Sequence, residues 1–276
     1  MTRRMIFHHP LPLFPDAASA SGIRPVQMKR AFEELGYEVW QVTGYTGERG
    51  RLAAEVRYAV RCGVRFDFCY SESSTMPMTM TNPTHLPSRP FLDLRFFRSL
   101  RRNGIPVGQF LRDMYWVFPD YRESLPFLKL RAALAAYEWD MRTLRHHVDR
   151  VFLPSLKVGE YINLGDVPIS ALEPGHGHAE PLPGPGEGVS LFYVGGIGSD
   201  YKLHELFAAV KQAWEEKNLD VRLIVCLRPE DWDAVKHEYE QWACPAIEVV
   251  HGHGNVLQEY FERTNVATIV VDLDEY

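Results

Sequence analysis

The sequence has little of what would settle its class at a glance. It has only four cysteines in 276 residues, Cys62, Cys69, Cys226 and Cys244. Their spacing fits no zinc or redox motif, and two of them sit in apolar segments. Buried, reduced thiols of a cytosolic protein are therefore expected. No apolar run approaches the roughly 20 residues of a membrane-spanning helix. Residues Met1 to Pro10 carry Arg3 and Arg4 but no apolar stretch behind them, so no secretory signal peptide is expected. There is no Walker lysine loop, no HExxH and no Ser/His/Asp order. No GxGxxG follows the first strand with an acidic residue about twenty positions on, which disfavours a dinucleotide oxidoreductase. No internal repeat is visible.

Hydrophobic residues make up 46% of the chain and charged residues 24%, which excludes disorder and a fibre. The net charge of −6 hides an asymmetry. Residues 1–150 hold 22 Lys and Arg against 15 Asp and Glu, a balance of +7, and the remainder holds 8 against 21, a balance of −13. A basic front half suits an anionic partner, such as a membrane surface or a phosphate-bearing acceptor, and attraction between the halves explains it equally well.

Short β-rich runs alternate with helical patterns nearly throughout. Strands are predicted at Met5–His8, Glu38–Val42, Phe66–Tyr70, Pro106–Leu111 and Arg150–Leu153, with helices around 24–35, 50–62, 91–102, 126–147 and 156–163. Such alternation argues for βαβ units and parallel sheets, the α/β class. The Pro- and Gly-rich stretch 174–188 cannot hold regular structure and reads as a linker between a domain at 1–173 and a second at 189–276. In the second, strands are predicted at Ser190–Val194, Val221–Cys226, Ile247–Val250 and Val266–Val271, with a helix near 255–263. A helix carrying Leu203, Leu206, Phe207, Val210 and Trp214 has a continuous apolar stripe. Ending after a strand, this second unit reads as incomplete.

Several segments carry possible chemistry. The run Val194-Gly195-Gly196-Ile197-Gly198-Ser199-Asp200-Tyr201-Lys202 is a strand, a glycine turn and a helix entrance. Glycines let backbone approach a phosphate, the helix N-terminus favours its charge, and Lys202 adds a point charge. The plain alternative is a tight turn with a solvated lysine. Gly22 at the entrance of the first helix, with Arg24 beside it, allows close approach of a substrate, or is an ordinary turn before Pro25. At a strand's carboxyl end, Arg112 and Asp113 followed by Trp116 suit contacts to a sugar or phosphate. Asp113 would accept from an acceptor hydroxyl and Trp116 would offer an apolar face; a structural Arg–Asp pair is the alternative. Arg228, His251 and Glu275 stand at later strand ends of the second unit, where open α/β sheets bind ligands. The paired histidines lack three or four converging ligands, so no metal site is expected. Helix 91–102 carries four arginines opposite an apolar side. That suits either an anionic membrane surface or a core-facing helix with a solvated basic face.

Together, Val194-Gly195-Gly196 with Lys202, Ser21-Gly22-Ile23-Arg24, Leu111 to Trp116 and Asp272-Leu273-Asp274-Glu275-Tyr276 resemble retaining glycosyltransferases of the GT-B fold, family 4-like. The resemblance implies two Rossmann-like domains, an acceptor-side one and a donor-side one, facing each other across a cleft. It implies a cytoplasmic enzyme that transfers a sugar from a nucleoside-diphosphate donor to an acceptor hydroxyl, with retention and without metal or other cofactor. Gly195, Gly196, Gly198, Lys202, Arg228, His251 and Glu275 would bind the donor. Gly22, Arg24, Arg112, Asp113 and Trp116 would bind the acceptor, a glycan, lipid-linked or small molecule. Asp113, Lys202 and Arg228 would be catalytic. Peripheral contact with the inner face of a membrane is a further expectation, and no nucleic-acid partner is expected. The pattern departs at Gly196, where the family has an arginine, and the family's downstream glutamate motif does not follow. Weak donor affinity and low activity are therefore expected of a chain of this length. The rival readings are a nucleotide-sugar epimerase of the same fold and a non-catalytic carbohydrate- or nucleotide-binding protein.

Overall fold

In the computed structural model, the structure describes residues 2–17, 19–173, 175, 189–197, 203–251 and 266–268. The chain divides into two compact units, Met1–Gly175 and His176–Tyr276.

The first unit is a parallel sheet wrapped by helices. Its elements are β1 (Arg4–His8), α1 (Ala20–Glu34), β2 (Glu38–Val42), α2 (Thr46–Arg61), β3 (Phe68–Glu72), α3 (Leu92–Arg102), β4 (Val107–Phe110), α4 (Pro119–Glu123), α5 (Phe127–His147), β5 (Arg150–Leu153) and β6 (Ile169–Ala171). The strand order is β2-β1-β3-β4-β5-β6, every pair parallel. Met5, Ile6 and Phe7 are fully buried, as a central parallel strand covered on both faces requires. Connections leave β1 toward β2 on one side and β3 toward β4 on the other. The carboxyl ends of β1 and β3 therefore flank a topological switch point, where such sheets form a crevice.

Helix α3 turns Phe96, Phe97 and Leu100 into the core, each worth about 1.5–3 kcal/mol of burial. Its apolar side is thus spent on the sheet, and the alternative of a helix lying on a membrane does not hold for it. Among the described residues no helix is long and apolar enough to cross a membrane. Two helices start four residues before their predicted positions. Ser19 caps α1, its hydroxyl accepting the Gly22 N–H at 3.3 Å. Pro25 consequently falls in the second turn, not the first, and leaves the Ser21 carbonyl without its i+4 donor. Gly47 and Gly50 weaken the local helix signal of α2, but Arg49 between them is fully buried and ties that turn to the core. Residues 156–161 form 3-10 turns instead of the predicted helix, and the three-residue β6 has no periodicity long enough to read.

The second unit contains β7 (Val189–Val194), α6 (Leu203–Glu215), β8 (Val221–Leu227), α7 (Pro229–Tyr239), β9 (Ile247–His251) and β10 (Val266–Thr268). Its strands are parallel in the order β10-β7-β8-β9. Leu203, Phe207 and Val210 of α6 pack with Tyr193, Leu223, Val225 and Tyr239. Trp214, expected on the same stripe, is 38% exposed near the helix end. The switch point lies between β7 and β10. Both units thus have the expected α/β architecture. The helix predicted near 255–263 lies outside the described residues.

Candidate functional site

The carboxyl edge of the first sheet gathers the unusual electrostatics. Parallel register sets His8 beside Ser71 and Glu72 beside Phe110, so the residues that follow β1, β3 and β4 meet there. Glu72 is fully buried. Its Oε1 accepts from Arg112 Nη2 at 3.0 Å and its Oε2 accepts from the Tyr70 hydroxyl at 3.2 Å. Arg24, projecting from α1, places Nε 3.4 Å from the same Oε1. Its guanidinium carbon lies over the Phe110 ring, 3.9 Å from the centroid. Burial raises the Glu72 pKa, and the two arginines pull the other way. The Arg112 backbone N–H donates to the Ser73 hydroxyl at 3.0 Å. His9 donates from Nδ1 to the Glu72 carbonyl at 3.0 Å. Burial lowers its pKa to about 3, so the ring is neutral at physiological pH.

Asp113 completes this edge. Its Oδ2 accepts from the Thr75 hydroxyl at 3.1 Å, whereas Oδ1 is buried with no hydrogen-bond partner. Burial raises its pKa against the opposing effects of Thr75 and Arg112. Raised proton affinity and a free oxygen are what a general base needs.

Two expected acceptor-side residues turn out to serve the fold. Trp116 is buried and stacks on Tyr137, centroids 4.0 Å apart and planes 15° from parallel. It is a core ring, not the apolar platform expected for a sugar. The close approach at Gly22 comes from the chain itself, because a Cβ there would meet the Ala17 Cβ at 2.6 Å.

Beneath the edge lies a second polar cluster. His8 accepts at Nδ1 from the Ser71 hydroxyl at 2.7 Å and donates from Nε2 to Asp93 Oδ1 at 2.9 Å. This is the connectivity of a nucleophile triad. However, Ser71 and His8 are fully buried, and Asp93 also holds Arg49 through both carboxylate oxygens at 2.9 and 3.1 Å. Arg49 further donates to the carbonyls of Pro10, Gly44 and Met78. No substrate reaches Ser71, so the cluster is an internal strut joining β1, α2, α3 and β3. Burial would raise the Asp93 pKa, but Arg49 and His8 outweigh it and hold the carboxyl well below its ordinary range. Burial likewise keeps His8 neutral.

In the second unit, Gly195 and Gly196 follow β7 as expected. The Tyr193 hydroxyl donates to the Gly196 carbonyl at 2.7 Å. A Cβ on Gly195 would stand 2.7 Å from that hydroxyl. The glycine at 195 is thus required by the tyrosine that pins the turn, whatever else the turn holds. Arg228 is the N-cap residue of α7 and pairs with Asp231 at 2.8 Å, largely exposed. His251 ends β9 and donates from Nδ1 to the Leu227 carbonyl at 3.2 Å. The two strand ends are adjacent, since Leu227 and His251 are in register. Gly198, Lys202 and Glu275 lie outside the described residues. Among the described residues, no group of three His, Cys, Asp or Glu side chains converges as metal ligands.

Glu72, Ser73, Thr75 and His9 are absent from the sequence-derived candidates. The third strand was expected to end at Tyr70, but it runs to Glu72. The signal was present, because Ser71-Glu72-Ser73-Ser74 is a polar run directly after an apolar strand. That is the same rule that singled out Arg112 and Asp113.

No family model matches the chain, and no curated protein matches it in sequence. Solved structures do resemble it. An α,α-trehalose 6-phosphate synthase from Burkholderia multivorans has 13% identity over 96% of this chain and 77% of its own, with a TM-score of 0.49. A UDP-glucosyltransferase from Polygonum tinctorium has 10% identity over 91% and 71%, with a TM-score of 0.46. A UDP-N-acetylglucosamine 2-epimerase from Listeria monocytogenes, described as putative, has 11% identity over 97% and 74%, with a TM-score of 0.44. The fold of this chain is established by its own strand order.

Proposed function

We propose that the protein is a glycosyltransferase moving a sugar from a nucleoside-diphosphate donor to an acceptor hydroxyl. The observation that supports this best is Asp113, a half-buried carboxylate whose Oδ2 is held by Thr75 and whose enclosed Oδ1 has no hydrogen-bond partner, at the carboxyl edge of the first sheet. Its Oδ1 orients the acceptor hydroxyl and takes its proton as the bond from that oxygen to the anomeric carbon forms and the bond from the anomeric carbon to the diphosphate breaks. The donor is assigned to the second unit, at the turn after β7. Lys202, Arg228 and backbone N–H groups there meet the charge that grows on the departing diphosphate, without metal. Retention at the anomeric carbon belongs to the same reading. So does a donor affinity weakened by glycine at 196, where the resembling family has arginine. Retention requires the hydroxyl to attack from the face that the diphosphate leaves, because a single displacement from the opposite face inverts the carbon.

Thermal shift with UDP, GDP and their sugars tests the reading. A nucleoside diphosphate at a hundred times its Kd stabilises by about 2.7 kcal/mol. The shift is expected to be lost in Lys202→Ala, and transfer to fall in Asp113→Asn with nucleotide binding intact. A wild-type chain that no nucleotide stabilises would overturn the reading, and an inverted product would remove its stereochemical part. One observation favours a second reading, a non-catalytic binding protein. Arg228 is engaged by Asp231 and position 196 lacks a cation, so nucleotide binding with neither transfer nor donor hydrolysis would select it.

A further inference from the structure

The first unit holds three buried guanidinium N–H groups that complete no hydrogen bond, one of them, Arg24 Nε, in ion-pair contact with Glu72 Oε1 at 3.4 Å. Arg24 Nε and Nη2 and Arg112 Nε are buried without a hydrogen-bond partner. Enclosed charged donors of this kind carry the full cost of their lost hydration and call for a partner. They are also pre-aimed. Arg24 is held over the Phe110 ring, and Arg112 is held by Glu72 through Nη2 and by Ser73 at its backbone. Two guanidiniums share one carboxylate, Glu72, in a largely dry setting, and Asp113 next to Arg112 is the further carboxyl that feels its charge.

We propose that the Arg24–Glu72–Arg112 cluster is a site for the phosphate group of a phosphomonoester. The Nε and Nη2 of Arg24 form the edge of the guanidinium that grips an oxyanion in a two-pronged fashion, a phosphate oxygen at Nε competing with Glu72 Oε1, 3.4 Å away. Arg112 Nε adds the third donor, matching the three terminal oxygens of a phosphomonoester, whereas a carboxylate offers two. Glu72 is a positioning residue that aims both arginines. The site lies at the switch point, between α1 and the ends of β3 and β4, where open α/β sheets bind their ligands. That the phosphate belongs to the acceptor rests on the sugar-transfer reading; that it binds here does not.

Calorimetric titration of the full chain with inorganic phosphate and with phenyl phosphate, at low salt and without any nucleotide, tests the site. Saturable binding is expected, with acetate far weaker. Arg24→Lys keeps the charge but removes the fork, and should weaken binding at least about tenfold; Arg112→Lys should act in the same direction. Glu72→Gln removes a competing anion while its amide oxygen still accepts from Arg112, and should tighten binding several-fold. Arg30→Gln, on the exposed side of α1, should change nothing. Circular dichroism confirms folding of each variant, and Arg24→Gln replaces Arg24→Lys if the lysine variant does not fold. No saturable binding by the wild type, meaning that water alone meets these donors, overturns the proposal. Binding unchanged by both arginine substitutions does so too. Neither result bears on nucleotide binding or sugar transfer, which are read separately.

Discussion

Asp140 lies on α5 with its carboxyl enclosed by protein, Oδ2 accepting the Met78 N–H at 2.7 Å. Burial, helped by the charge of Asp93 and opposed by the Met78 hydrogen bond and Arg49, raises its pKa from 3.8 to about 8. The folded value lies above the unfolded one, so the folded protein keeps a proton that the unfolded chain has already released. The associated stability is intact below about pH 4 and is lost progressively up to about pH 8. At 1.36 kcal/mol per pH unit, the loss reaches on the order of 4 kcal/mol by neutral pH, and about 3–4 kcal/mol accrues between pH 5 and pH 8. Asp140→Asn keeps the acceptor for Met78 and cannot ionise. Whatever fixed cost or gain it carries, its stability relative to wild type should climb across that window. At roughly 2–4 °C per kcal/mol, the difference in Tm should widen by roughly 10 °C from pH 5 to pH 8. His8 and His9, whose pKa values are lowered by burial, stabilise the fold as pH rises toward 6.5, but they are common to both proteins and cancel in the difference. Thermal melts of the pair at four pH values and constant ionic strength decide the matter. A Tm difference that stays flat with pH would show that Asp140 is ionised in the folded state, and would refute the reasoning.

Other consequences can be measured alongside. Asp93→Ala leaves Arg49 charged and enclosed and should cost about 3–5 kcal/mol, read as a lowered urea midpoint; a loss below 1 kcal/mol would deny the strut. Gly195→Ala should destabilise by about 1–3 kcal/mol through the crowding of Tyr193, and adding Tyr193→Phe should recover part of it. If the double variant is no better than the single, the clash lies elsewhere. Arg228→Ala breaks only an exposed pair with Asp231 and should change stability by no more than about 0.5 kcal/mol, so any larger change in nucleotide binding is a ligand effect.

The alternation of strand and helix was legible because each parallel strand is a short apolar run, buried on both faces, and each helix shows one apolar stripe. Boundaries were less so. The start of α2 was hidden by two glycines, and β3 was cut short because Ser71 and Glu72 do not look like strand. The strand rule pointed to Arg112 and Asp113, two polar residues directly after an apolar run. It passed over Glu72, which is charged but enclosed by partners from other elements.

By itself, the order of residues determined the α/β class, since periodicity is a property of neighbours along the chain. It also determined which polar residues follow each strand. Only the tertiary structure decided that Arg24, Glu72 and Arg112 share one buried cluster, and that His8, Asp93 and Arg49 form an inaccessible strut. It likewise decided that Trp116 and Gly195 answer to Tyr137 and Tyr193. Each of those pairings except the last joins residues far apart in sequence. Their energetics depend on desolvation, which exists only once the chain has closed around them.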